Sequence, residues 1–184
     1  GGTTASITIT VTVTGANDAP TSATGSESGT EDTPYTYALA DFTYTDVDGA
    51  DSALVSITIT ELESSGTLES STDGSSFSNV ADEAVILAAN VQYLRLTPTL
   101  NSVAAVTFSF KVSDSDTASA AAYVMTTSFA AANDAPVVSI DLVDQAVNED
   151  SALTYQFNAG SFTDVEGDTL TYTAALSNGN ALST

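Results

Sequence analysis

Acidic residues are spaced along this sequence in a way suited to holding a cation. Asp46-Val47-Asp48-Gly49, Asp114-Ser115-Asp116 and Asp164-Val165-Glu166-Gly167-Asp168 place carboxylates on alternate residues. Alternate residues in a loop can turn the same way, and Gly49 or Gly167 permits a tight turn. Asn17-Asp18 and Asn133-Asp134 each precede Ala-Pro, and Glu31-Asp32 and Glu149-Asp150 add two acidic pairs. Carboxylates, Asn side chains and backbone carbonyls supply only oxygen, and Ca2+ takes about 6–8 oxygen ligands in flexible geometry. Zn2+ and Cu2+ favour His or Cys, and the chain has neither. The EF-hand loop is not matched, because its Glu at the twelfth position is missing and no helices flank the motif. The competing reading is structural: Asp and Gly are common turn residues, and one isolated Asp-Val-Asp-Gly is more often a turn than a metal site.

Charge sharpens the choice. The 184 residues carry Lys+Arg 2 against Asp+Glu 24, a formal net charge of −22. Clustered carboxylates repel unless a cation sits among them. Arg95 and Lys111 are the only basic side chains. Either the charge stays solvated or metal ions supply the counter-charge. The same shortage excludes nucleic acid and anionic membrane surfaces as partners. No apolar run approaches the ~20 residues that span a bilayer, so this segment is not expected to insert in a membrane. Without Cys or His, the common nucleophile–base pairs cannot be assembled, so no catalytic residue is assigned and no enzyme is expected.

The elements that must position these carboxylates are strands. Apolar residues make up 42% of the chain, with Tyr 7 and Phe 7, so it has the means to fold. Thr4 to Thr14 alternates apolar and hydroxyl residues without a break, which predicts a half-buried strand. The same period of two runs through Val55, Ile57 and Ile59, through Val106, Phe108, Phe110 and Val112, and through Leu170, Tyr172, Ala174 and Leu176. Residues 82–90 read as a short helical turn. The fold class is all-β.

An internal repeat sets the boundaries. Asn17-Asp18-Ala19-Pro20 recurs as Asn133-Asp134-Ala135-Pro136, a shift of 116. Glu31-Asp32 and the aspartate of Asp46-Val47-Asp48-Gly49 recur at a shift of 118. Residues 1–18 are then the last strand of an upstream repeat and its joint. Residues 19–134 are a complete repeat, and 135–184 the N-terminal part of a downstream one. Strands are expected near 20–27, 34–40, 53–62, 66–70, 91–97, 103–112 and 118–130. Seven short strands fit an immunoglobulin-like β-sandwich, with a β-barrel as the alternative, and repetition through a four-residue joint favours a linear array. The segment reads as a piece of something longer.

Tracing such a sandwich gathers Asn17, Asp18, Asp46, Asp48, Asp114 and Asp116 at one end of the complete repeat, with Asp51 beside them. Glu31, Asp32, Asn133 and Asp134 gather at the other end and meet Asp164, Glu166 and Asp168 of the next repeat. Both clusters are expected to bind Ca2+.

The Asn-Asp-Ala-Pro joints, Asn148-Glu149-Asp150-Ser151, Phe162-Thr163-Asp164-Val165-Glu166-Gly167-Asp168 and Val112-Ser113-Asp114-Ser115-Asp116 resemble bacterial cadherin-like tandem repeats. These are the dystroglycan-type cadherin-like and VCBS-like repeats of giant RTX-type surface adhesins. The resemblance implies Ca2+ at inter-repeat joints, with Glu31, Asp134, Asp164 and Glu166 on the acidic positions of the pattern. The loop Thr97-Pro98-Thr99-Leu100-Asn101 departs from it by lacking the acidic triplet of animal cadherins, so one or two ions per joint are expected rather than three. The implied function is a structural spacer or stalk in cell adhesion or biofilm, extracellular at the bacterial surface or secreted, with neighbouring repeats as partners.

Two alternatives stay open. One is a carbohydrate- or peptide-binding module that uses Tyr35, Tyr37 and Tyr44 as a platform on cell-surface glycans, although tyrosines at strand spacing are more often core. The other is a self-assembling extracellular fibre whose residues 1–14 donate a strand to other copies. Arg95 is expected in a surface ion pair of small energetic value. Lys111 is expected on an outward face rather than in an isopeptide crosslink.

Overall fold

The computed structural model describes residues 1–48 and 53–175. Gly49 and Asp51 of the first acidic loop, and Leu176 of the last expected strand, lie outside the described residues. The chain divides into two compact units, Gly1–Ala130 and Ala131–Thr184, and each is taken by itself.

The first unit is built of β-strands, as the period-two patterns require. In chain order they are β1 (Gly25–Thr30), β2 (Tyr35–Thr36), β3 (Ser56–Glu61), β4 (Thr67–Ser70), β5 (Ser78–Asn79), β6 (Val85–Leu87), β7 (Leu94–Thr97), β8 (Val106–Ser113) and β9 (Tyr123–Ala130). One sheet has the order β1-β9-β8-β3-β6 and the other β2-β7-β4-β5. Every pairing is antiparallel except β1 with β9, which is parallel.

Strand β8 shows why the pattern works. Val106, Phe108, Phe110 and Val112 are all buried, while Thr107 and Lys111 between them are partly exposed. One hydrophobic cluster joins both sheets, drawing Ile57, Ile59 and Met125 from the first and Leu68, Leu94 and Leu96 from the second. Each such side chain contributes about 1.5–3 kcal/mol on burial. Tyr37 extends β2 by donating its N–H to Leu94 O at 2.9 Å. Its ring meets Phe108 edge-on at 5.5 Å, and its hydroxyl lies 2.6 Å from Thr127 Oγ1 on β9. Phe42 meets Phe110 in the same way at 4.9 Å.

Several expectations are corrected. The helical turn expected over 82–90 is met only at its end: Val85–Leu87 is strand β6, and a 3-10 helix begins at Ala88 and runs to Tyr93. Ile86 is β-branched and buried opposite Ile57, and that pairing outweighs a local helical preference. Strand β5 pairs Glu69 with Asn79 and carries no apolar alternation that would announce it. The strand expected over 20–27 begins at Gly25, preceded by an isolated antiparallel bridge between Thr21 and Thr45. Residues 1–14 form no strand and are not half-buried, since Ile7, Ile9, Val11 and Val13 are 77–87% exposed. Alternation gives a segment an apolar face, but a strand also needs a neighbour for its N–H and C=O groups.

Arg95 Nε lies 3.0 Å from Glu69 Oε2, the expected ion pair, with its guanidinium 3.7 Å over the Phe77 ring. Such a partly exposed pair contributes about 0.2–1 kcal/mol.

In the second unit β10 (Val137–Val138) pairs antiparallel with β11 (Phe162–Thr163). Phe157, Phe162 and Tyr172 form a mutual aromatic cluster with centroid distances of 5.1–5.5 Å. Residues 170–174, expected as a strand, form none.

Candidate metal centre

The first acidic cluster assembles around the end of β8. The strand delivers Asp114 immediately after Ser113, and a tight turn folds back so that Ser113 bridges Ala118. Asp114 is 4% exposed. Its Oδ1 accepts the N–H groups of Thr117 and, at 2.7 Å, Asp116, and its Oδ2 accepts Asn17 Nδ2 at 3.3 Å. The Thr117 N–H, with those of Asp116 and Asn17, holds the Asp114 carboxyl below the usual range, while burial works the other way.

The bridge between Thr21 and Thr45 brings the segment after Asn17-Asp18 alongside the segment before Asp46. Asp18 then donates its N–H to Asp48 Oδ2, and Asp48 donates its own N–H to Asp46 Oδ1 at 2.8 Å. Asn17, Asp18, Asp46, Asp48 and Asp114 are thus linked by two sets of hydrogen bonds, with Asp116 entering through its N–H. Tyr44, which the sequence reading does not place in this group, joins it. Its hydroxyl donates to Asp46 Oδ2 at 3.2 Å, and burial together with Asp46 pushes its pKa up to about 12. The signal was available: Tyr44 precedes Asp46 by two residues in an extended run, which puts both on one face.

At the other end of the first unit, Glu31 is 3% exposed and its N–H donates to Ala130 O at 2.9 Å. Asp32 adopts a left-handed conformation at φ 59° and its Oδ1 accepts the Asn101 N–H at 2.8 Å.

The second unit repeats the first cluster. Asn133 Nδ2 donates to Asp134 O at 3.0 Å, as Asn17 Nδ2 does to Asp18 O at 3.0 Å. Asp134 donates its N–H to Glu166 Oε2 at 3.0 Å, matching Asp18 and Asp48. Glu166 and Asp168 donate their N–H groups to Asp164 Oδ1 at 3.2 and 3.0 Å. Gly167 supplies the turn at φ 79°.

The donor chemistry fits a hard cation, since every polar side chain in these clusters offers oxygen and Asn adds an amide. The geometry is looser. Among the described residues, no three acidic side chains converge as a group that could hold a metal ion. Each key carboxylate instead spends one oxygen on main-chain N–H groups, and Asp51 lies outside the described residues. No family model, curated protein or solved structure matches this chain.

Proposed function

We propose that this chain is a structural spacer from a long bacterial surface or secreted adhesin. Its units are cadherin-like β-sandwiches repeated in a linear array, and Ca2+ stiffens the joints between them. Asn17, Asp18, Asp46, Asp48, Asp114 and Asp116 would hold the ion at the first joint, and Asp134, Asp164, Glu166 and Asp168 are their second-unit counterparts.

The observation that carries the reading is the recurrence of one hydrogen-bond pattern, Asn-Asp to Asp-x-Asp or Asp-x-Glu, at the offset of the sequence repeat. A turn motif that occurred by chance has no reason to bring the same joint residue to the same loop position twice. The lack of basic side chains supports an external cation: at −22 the chain has almost no internal means of neutralising its loops.

Small-angle scattering on a longer chain carrying several repeats tests the proposal. Adding EGTA should shorten the maximum dimension as the joints begin to flex, and an unchanged dimension would count against it.

A further inference from the structure

We infer that Met125 is a modification site, oxidised to its sulfoxide by peroxides when strand β1 lifts from the sheet, and that the added oxygen then keeps β1 from closing. Both strands involved, β1 and β9, lie inside the first unit, and Ca2+ plays no part.

Strand β1 is held differently from every other strand of its sheet. Its six residues, Gly-Ser-Glu-Ser-Gly-Thr, contribute nothing to the hydrophobic cluster. It stands at the sheet edge and pairs only with β9, in the parallel mode that is slightly less stable per residue. Two glycines add chain entropy that is lost each time it closes. Its side-chain tie to the body of the unit is Glu27, whose Oε2 accepts the Tyr35 hydroxyl at 2.7 Å. Strands β3, β8 and β9, by contrast, each place two or more buried apolar side chains in the cluster. A segment with few apolar contacts opens at a lower free energy than the core beside it, so β1 lifts while the body stays closed.

What β1 covers is the Met125 sulfur. Met125 is fully buried, opposite Gly25 in the β1–β9 register. A Cβ built on Gly25 would collide with both Sδ and Cε of Met125, and the Asp41 carbonyl lies 3.3 Å from the same point. Glycine therefore leaves room for the reduced thioether and for nothing larger. On the other side Met125 pairs with Phe108 of β8, whose ring offers no hydrogen-bond donor. Lifting β1 uncovers the sulfur without disturbing that pairing.

The chain has one Met and no Cys, so no other sulfur competes for an oxidant. The Met125 sulfur attacks one oxygen of hydrogen peroxide; the O–O bond breaks, an S–O bond forms and the other oxygen leaves as water. Sulfur is oxidised by two electrons and the peroxide is reduced. On the β1 side of Sδ the new oxygen would take the space of the Gly25 main chain. Shut inside the apolar cluster it would be a buried acceptor with no donor, whereas with β1 lifted it is solvated. Oxidation thus favours the open strand and leaves β9 as the new sheet edge. Reduction by a methionine sulfoxide reductase would let β1 reseat.

Because Met125 is the only methionine, the mass of the intact 184-residue chain counts the modification directly. Hydrogen peroxide is added at several urea concentrations below the unfolding transition. The oxidation rate should stay nearly flat with urea, because lifting one strand exposes little surface, while hydrogen exchange at the β8 amides climbs steeply. Tyr35→Phe, which takes the hydroxyl away from Glu27, should raise the oxidation rate about twofold to tenfold, with circular dichroism checking that the variant folds. In the oxidised chain the β1 amides bonded to β9 should exchange faster, and the β8 amides at their former rate. Met125→Leu given the same peroxide should change neither. An oxidation rate that follows β8 exchange would overturn the inference, since the sulfur would then be reached only by unfolding the whole unit. So would an oxidised chain whose β1 amides stay as protected as before, or one in which β1 and β8 lose protection together.

Discussion

The main-chain N–H of Asp18 donates to the carboxylate of Asp48, tying the Asn-Asp-Ala-Pro segment to the acidic loop thirty residues later. The same bond joins Asp134 to Glu166 in the second unit. Removing the acceptor should release the donor. Asp48→Ala should speed hydrogen exchange at the Asp18 amide, and Glu166→Ala at the Asp134 amide, with the β8 amides unaffected in each case.

Acid should loosen the turn after β8. The folded Asp114 carboxyl is held below its ordinary value, chiefly by the Thr117 N–H, while in the unfolded chain it titrates near ~3.9. Above that value both states are ionised and its contribution is fully present. As pH falls further the unfolded state takes up the proton first, so the contribution is lost. Asp114→Asn should flatten this part of the stability profile, as measured by urea unfolding at neutral and acid pH.

Alkali should act through tyrosine with the opposite sign. Tyr44 is pushed up to about 12, by burial first and then by Asp46. An unfolded tyrosine ionises near ~10, so between these values the unfolded state has lost the proton and the folded state keeps it. Stability should fall through that window. Tyrosinate absorbance should rise later than in a denatured control, and Tyr44→Phe should remove part of the delay.

The bond that crosses between the sheets should show itself in stability. Tyr37→Phe leaves Thr127 Oγ1 buried without its partner at 2.6 Å, at a cost of about 1–3 kcal/mol. A double-mutant cycle with Thr127→Val separates the bond from the packing. A large coupling is expected, because both groups are buried.

Glycine at β1 is a packing requirement rather than a turn. Gly25→Ala places a Cβ against Met125 and should cost about 1–3 kcal/mol, and shortening the partner with Met125→Ala in the same protein should recover part of the loss from the clash. Thermal melts of the single and double variants check this.

The legible part of this fold was the part written in alternation. Val106, Phe108, Phe110 and Val112 announce β8 because each faces the core. The pairing of Glu69 with Asn79 is not announced, because β5 is a two-residue polar edge with no apolar face. The parallel pairing of β1 with β9 joins residues about a hundred positions apart, and no local pattern encodes it. Residues 1–14 show the converse failure, with perfect alternation and no strand. For the first acidic cluster, the repeat and strand polarity together brought Asn17, Asp18, Asp46, Asp48 and Asp114 to one end. Their individual bonds were not legible, since main-chain N–H groups take up the carboxylate oxygens and a sequence does not show which.

Cations from outside the chain are proposed to occupy these acidic loops. The most direct test is a calorimetric Ca2+ titration of the 184-residue chain, alongside Asp46→Asn/Asp48→Asn and Asp164→Asn/Glu166→Gln variants. Saturable Ca2+ binding is expected, with Mg2+ weaker and each double variant losing part of the stoichiometry. No heat of binding up to millimolar Ca2+, the weakest range known for extracellular sites at about 10⁻⁴–10⁻³ M, would contradict it.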